Sequence, residues 1–142
     1  MKITSPDFKN KEKIPIKFTG DGEDINPNLI IGGAPKNTKS LVLIADDPDC
    51  PGGWNHWIIW NISPETGKIM ENSVPENAVQ GRNSWGRSKY GGPKPPSGTH
   101  RYFFKIFALD VLLNLEEGNR QELEEAMKGH VIEKAELIGL YR

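Results

Sequence analysis

The chain has 142 residues, a length that suits one domain, residues 1–142, with a hydrophobic core of its own. Its 18 Lys and Arg balance 19 Asp and Glu, so neither the basic excess of a nucleic-acid binder nor the acidic tail of a solvating segment is present. One cysteine, Cys50, excludes an internal disulfide and a thiolate zinc site.

The 15 Gly and 11 Pro are scattered along the chain, which punctuates many short elements and favours an all-β fold. Ile14 to Phe18 alternates as Ile-Pro-Ile-Lys-Phe and predicts an edge strand, because Pro15 cannot donate to a ladder. A turn cluster over Gly20–Asp24 precedes a short strand at Leu29–Ile31, which Gly32-Gly33 stops. Leu41–Ala45 and Trp57–Ile62 are continuous apolar runs, the pattern of strands buried on both faces.

Residues 71 to 99 show little periodicity, and Trp85 and Tyr90 within them argue for an ordered, packed loop. Tyr102–Leu109 is the strongest strand in the chain. Asn119 with Glu122 forms a capping box for a helix through Lys128, with Leu123, Ala126 and Met127 on one face and Gly129 as terminator. A second short helix over Val131–Lys134 and a last strand over Leu137–Tyr141 complete the prediction. The sum is a mainly all-β sandwich of sheets with a small helical element near the C-terminus.

Polar groups gather in two segments beside these strands: Asp46-Asp47-Pro48-Asp49-Cys50-Pro51, running on to His56, and Gly91-Gly92-Pro93, running on to His100-Arg101-Tyr102. Each residue has a structural reading. Asp47 and Asp49 can cap turns, each histidine can be a satisfied core residue, Tyr102 can simply pack, and Arg101 can pair with Asp46 or Asp49. Together they read as a concave anion site. Imidazole, a phenol and the backbone N–H groups of Gly91-Gly92 can donate to phosphate oxygens, while a carboxylate can orient a histidine and favour imidazolium against an anion. No nucleophile elbow, P-loop or His-Glu-x-x-His zinc motif is present, so neither a catalytic set nor a metal set is assigned.

The motifs resemble the phosphatidylethanolamine-binding protein family, also called the Raf kinase inhibitor-like family, and most of all its short bacterial and archaeal members. Asp47-Pro48-Asp49-Cys50-Pro51 is similar to the family's Asp-Pro-Asp-x-Pro. Gly98-Thr99-His100-Arg101-Tyr102 with Phe104 is similar to its Gly-x-His-Arg-Tyr-x-Phe, and Trp54-Asn55-His56-Trp57 supplies the intervening histidine. The resemblance covers roughly residues 10 to 142. It implies two antiparallel sheets and an anion pocket of Asp47, His56, Gly92, Pro93, His100 and Tyr102, supported by Asp49, Pro51 and Arg101. It makes Pro51 a candidate for a cis bond. Asn55 stands where animal members carry a second histidine, and Lys94 where many bacterial members carry cysteine. The longer C-terminal helix of the animal proteins is lacking.

The expected function is a small binding module for phosphate or phosphorylated small molecules and peptides that modulates a kinase, a protease or another partner. The alternative is a slow phosphohydrolase or esterase using His56 and His100. A third reading makes the chain an interaction protein with a vestigial pocket. No cofactor, metal or nucleic-acid partner is expected. A cytoplasmic location follows from the absence of a signal-like segment after Met1 and of any apolar run near the ~20 residues that span a bilayer. The resemblance adds a homodimer.

Overall fold

In the computed structural model, which describes residues 1–142, nine strands form two sheets beside one short helix. The strands are β1 (Lys2–Thr4), β2 (Glu12–Lys13), β3 (Leu29–Gly32), β4 (Ser40–Asp47), β5 (Trp54–Ile62), β6 (Lys68–Ile69), β7 (Val79–Gln80), β8 (His100–Leu109) and β9 (Val131–Tyr141); the helix α1 is Arg120–Met127. The large sheet runs β2-β9-β8-β4-β5-β7 and the small one β1-β3-β6.

The unbroken apolar run of β4 has a direct structural cause. Leu41, Leu43 and Ala45 face a core closed by Ile3, Leu29, Ile31 and Ile69 of the small sheet. Val42 and Ile44 face a second core closed by Leu123 and Met127 of α1 together with Leu113. A strand covered on both sides has no face left for polar residues. β5 behaves the same way, with Trp57 and Ile59 in the first core and Ile58 and Trp60 in the second.

That parity shifts at Asn61. Its φ of 56° inserts a residue opposite the step from Leu41 to Leu43, and Ile62 returns to the first core. The Asn61 side chain holds the irregularity in place: Nδ2 donates to the Leu113 carbonyl and Oδ1 accepts from the Leu113 N–H.

The predicted sandwich and helix are present. α1 begins at the predicted capping box, with Asn119 Oδ1 accepting from Glu122 N at 2.9 Å and Glu122 Oε1 accepting from Asn119 N at 3.1 Å.

Two segments differ from their sequence reading. Ile14–Phe18 is not an edge strand. Pairing with β9 is parallel over Glu12–Lys13, continues through Ile14 N to the Leu140 carbonyl, and stops where Pro15 has no N–H. Ile16–Phe18 then turns as a 3-10 helix, which buries Ile14 and Phe18 together. Val131–Lys134 is not a helix but the start of β9, paired with Leu109–Phe107 of β8. Its β-branched Val131 and Ile132 suit that pairing.

Asn61→Ala is expected to lower unfolding stability by about 2–3 kcal/mol, because it strains a left-handed residue and strands two backbone partners. Urea denaturation checks this, and a midpoint equal to that of the unaltered protein would contradict the reading.

Candidate functional site

Four side chains meet where the ends of β4, β5 and β8 converge. β4 runs on to Asp47, so both Asp46 and Asp47 lie within the strand. Alternation sends them to opposite faces. Asp46 turns towards α1, where its Oδ2 binds Arg120 at 2.5 Å and Lys105 at 3.3 Å. Asp47, only 3 % exposed, turns to the other face.

There Asp47 Oδ2 accepts a hydrogen bond of 2.6 Å from His100 Nδ1, and Oδ1 accepts from the Asp49 N–H at 2.8 Å. Pro48 carries the chain across to Asp49, whose carboxylate takes three bonds from the next residue of β8: the Arg101 N–H, Nε and Nη2 at 2.8–3.0 Å. The Arg101 guanidinium holds the Asp49 carboxyl down at about 2. Two carboxylates therefore clasp two successive residues of β8. Of the two partners left open for Arg101, it is Asp49 that the guanidinium binds.

His56 arrives by a different route. Between Ala45 and Asp46, β5 takes two steps, Trp57 to Asn55, against one on β4. His56 is the extra residue of this bulge, which aims its ring out of the sheet's alternation. The ring lies edge-on to Tyr102 at 5.3 Å and to Trp85 at 5.2 Å. Its Nδ1 lies 2.7 Å from the Gly91 carbonyl, and because a carbonyl only accepts, Nδ1 carries the hydrogen. Burial pushes the His56 pKa below the ordinary histidine value, outweighing the Gly91 carbonyl. The neutral ring thus leaves Nε2 as an acceptor. Burial, reinforced by the Asp47 carboxylate, pushes the Tyr102 phenol up, so its O–H stays a donor.

A cavity of about 230 Å³ opens among these groups, lined by Asp47, His56, His100 and Tyr102 with Cys50, Trp54, Trp85, Lys94, Pro95 and Pro96. Of the residues predicted for the site, Gly92 and Pro93 are not in this lining, and the expected donors of Gly91-Gly92 are taken. Gly91 N donates to the His56 carbonyl at 3.0 Å, and Gly92 N to Asp24 Oδ1 at 2.6 Å. The Pro93 carbonyl accepts from Gly20 N at 2.9 Å. This segment straps the wall instead. Gly91 is required there because a Cβ would lie 2.3 Å from the Trp85 ring. Pro51 is exposed, and its peptide bond is trans like all the others.

Sequence reasoning missed Trp54, Trp85 and Lys94 as lining residues. The one signal was an aromatic residue in a polar, glycine-rich stretch. No group of three or more His, Cys, Asp or Glu is arranged to hold a metal ion. No helix is long and apolar enough to cross a membrane.

Fold and site define a class: a two-sheet β protein with a histidine-lined pocket at one end of its large sheet. The model of the phosphatidylethanolamine-binding protein family matches residues 4–142, and the chain belongs to that family. A UPF0098 protein of Methanothermobacter thermautotrophicus is 47 % identical over 149 residues, covering 100 % of this chain and 99 % of its own. One of Pyrococcus horikoshii is 52 % identical over 151 residues, covering 99 % and 76 %. Among solved structures, a phosphatidylethanolamine-binding protein homologue of Chlamydia trachomatis superposes with a TM-score of 0.95 at 43 % identity, covering 99 % of this chain and 96 % of that one. Escherichia coli YbcL, described as a member of the mammalian family, gives 0.92 at 28 %, covering 99 % and 97 %.

In an imidazole NMR titration, His56 is expected to remain neutral at pH 6.5, the ordinary histidine value, and to protonate only below it. The unfolded chain then binds more protons than the folded one as pH falls past that value. The stability His56 contributes is therefore present above about pH 6.5 and declines below it, by at most about 1.4 kcal/mol per pH unit. A midpoint at or above 6.5 would contradict the buried, Gly91-bonded ring.

Proposed function

We propose that this protein is a small binding module whose pocket takes a phosphoryl group, free or carried on a small molecule or peptide, and that the loaded rim modulates a kinase, a protease or another protein partner. One observation carries the reading. Each imidazole commits Nδ1 to the protein, His56 to the Gly91 carbonyl and His100 to Asp47, which leaves both Nε2 atoms and the Tyr102 hydroxyl beside one cavity. Three polar groups of mixed donor and acceptor character suit a tetrahedral anion that carries one proton.

Asp47 acts here as a positioning residue. It is acceptor-only when ionised, and although it borders the cavity both of its oxygens are engaged, Oδ2 by His100 Nδ1 and Oδ1 by the Asp49 N–H, so that it fixes the tautomer and the ring plane of His100. His56 has the complementary role: its neutral Nε2 accepts from the protonated oxygen of the ligand. Lys94 at the rim adds positive charge and reaches Asp21 at 3.6 Å.

The Asp47–His100 bond also resembles a base held by its orienting carboxylate, which favours slow phosphoester or ester hydrolysis as the second reading. Turnover abolished by His56→Ala with the fold intact would support that reading.

Calorimetric titration of phosphate and O-phosphorylethanolamine is expected to show binding to the unaltered protein that is lost in Asp47→Ala. Tyr102→Phe, which removes one donor, is expected to weaken binding about fivefold, an energy near 1 kcal/mol. No binding at millimolar ligand would overturn the proposal.

A second outcome concerns pH. The complex holds a proton that neutral His56 and the dianionic ligand do not hold separately, so affinity is expected to fall as pH rises from about 6 to 8. The binding enthalpy should vary with the ionisation enthalpy of the buffer. A flat profile without proton uptake would contradict the role of His56.

A further inference from the structure

The phosphoryl cavity is not closed on all sides. Its Trp85 wall is shared with a second cavity of about 330 Å³, and Lys94 borders both. The second compartment has a different chemistry. Beyond Trp85 and Lys94 it presents the exposed side chains of Arg87 and Lys89. Lys94 reaches Asp21, but Arg87 and Lys89 enter no ion pair in the structure. Asp24, the carboxylate that lines this compartment, is engaged by Gly92 N at 2.6 Å.

The loop that carries these cations is built rather than loose. Asn83, 6 % exposed, organises it from below. Its Oδ1 accepts from Trp85 N at 2.9 Å and Arg87 N at 3.0 Å, and its Nδ2 donates to the Lys89 carbonyl at 2.8 Å. Asn83 N donates to the Arg87 carbonyl at 2.8 Å, which closes the loop on itself. Trp85 is 49 % exposed yet fixed edge-on against both Trp54 and His56. A half-exposed indole between a histidine-lined cavity and two unpaired cations is a ridge over which a ligand can lie.

We infer that the site takes ligands with two anionic groups: a phosphoryl group in the histidine cavity and a second phosphate or carboxylate, across Trp85, on Arg87 and Lys89. This rests on the phosphoryl reading of the first cavity and adds a specificity that reading does not contain. A phosphorylated peptide with acidic neighbours and a small bisphosphate both supply this chemistry. Arg87 can hold a carboxylate or phosphate in bidentate fashion, and Lys89 adds a mobile point charge.

The test compares matched probes: a phosphoserine peptide flanked by glutamates against the same peptide flanked by alanines, and a hexose bisphosphate against a hexose monophosphate. Each is titrated calorimetrically into the unaltered protein and the double variant Arg87→Gln/Lys89→Gln, whose changes are confined to exposed side chains. The unaltered protein is expected to prefer the doubly anionic member of a pair roughly tenfold, an advantage that weakens with added salt. The double variant should lose this preference while binding the singly anionic member unchanged. Which pair shows the preference identifies the source of the second charge. Equal affinity within both pairs, or equal weakening of both members in the variant, would overturn the inference while leaving the phosphoryl pocket standing. Failure of every probe, singly anionic ones included, would overturn the phosphoryl reading and this inference with it.

Discussion

The hydrogen bond between Asp47 and His100 is the constraint on which the site depends. It joins the last residue of β4 to the first residue of β8, and both ends are largely shielded from water. A buried carboxylate deprived of its partner costs about 3–5 kcal/mol, so this contact fixes where the two strand ends sit as firmly as the core beneath them does. The Asp49–Arg101 clasp repeats the arrangement two residues further along β4's exit and one residue along β8. Being more exposed, it contributes alignment more than energy. With both in place, the intervening Pro48 turn has little freedom, and Cys50 comes to line the cavity.

The other half of the pocket depends on an irregularity. Regular alternation would place His56 on the face of Ile58 and Trp60, under α1 and away from Tyr102. The bulge opposite Ala45–Asp46 prevents that, and the reciprocal pair His56 carbonyl to Gly91 N and His56 Nδ1 to Gly91 carbonyl locks the result. Position and protonation are thereby coupled. The same burial and the same carbonyl that orient the ring also leave it neutral, with a definite tautomer. A pocket built from one histidine on a carboxylate and one on a carbonyl is chemically asymmetric.

Much of this was legible in the chain because it follows from local chemistry. β4 and β5 read as doubly buried strands from their apolar runs, and the Asn119–Glu122 capping box located α1. Asp47, His56, His100 and Tyr102 stood out as polar groups at strand mouths, and the structure brings those four together. What failed needed information from distant residues. Ile14–Phe18 alternates like a strand, yet its burial follows a turn of 3-10 helix because Pro15 interrupts pairing with β9. Val131–Lys134 looked helical until β8 supplied a partner. Free N–H groups at Gly91 and Gly92 were a reasonable reading of two glycines, but His56 and Asp24 claim them, and neither partner is near in sequence. Trp85 became a wall of the site only through contact with residues some thirty positions earlier.

The central claim is that two imidazoles and one phenol converge on a single phosphoryl group. A crystal structure of the protein with O-phosphorylethanolamine tests it most directly. The account predicts the phosphoryl oxygens within hydrogen-bond distance of His56 Nε2, His100 Nε2 and Tyr102 Oη, with Asp47 still bonded to His100 Nδ1 and not touching the ligand. A phosphoryl group bound elsewhere, or one held by displacing His100 from Asp47, would contradict it.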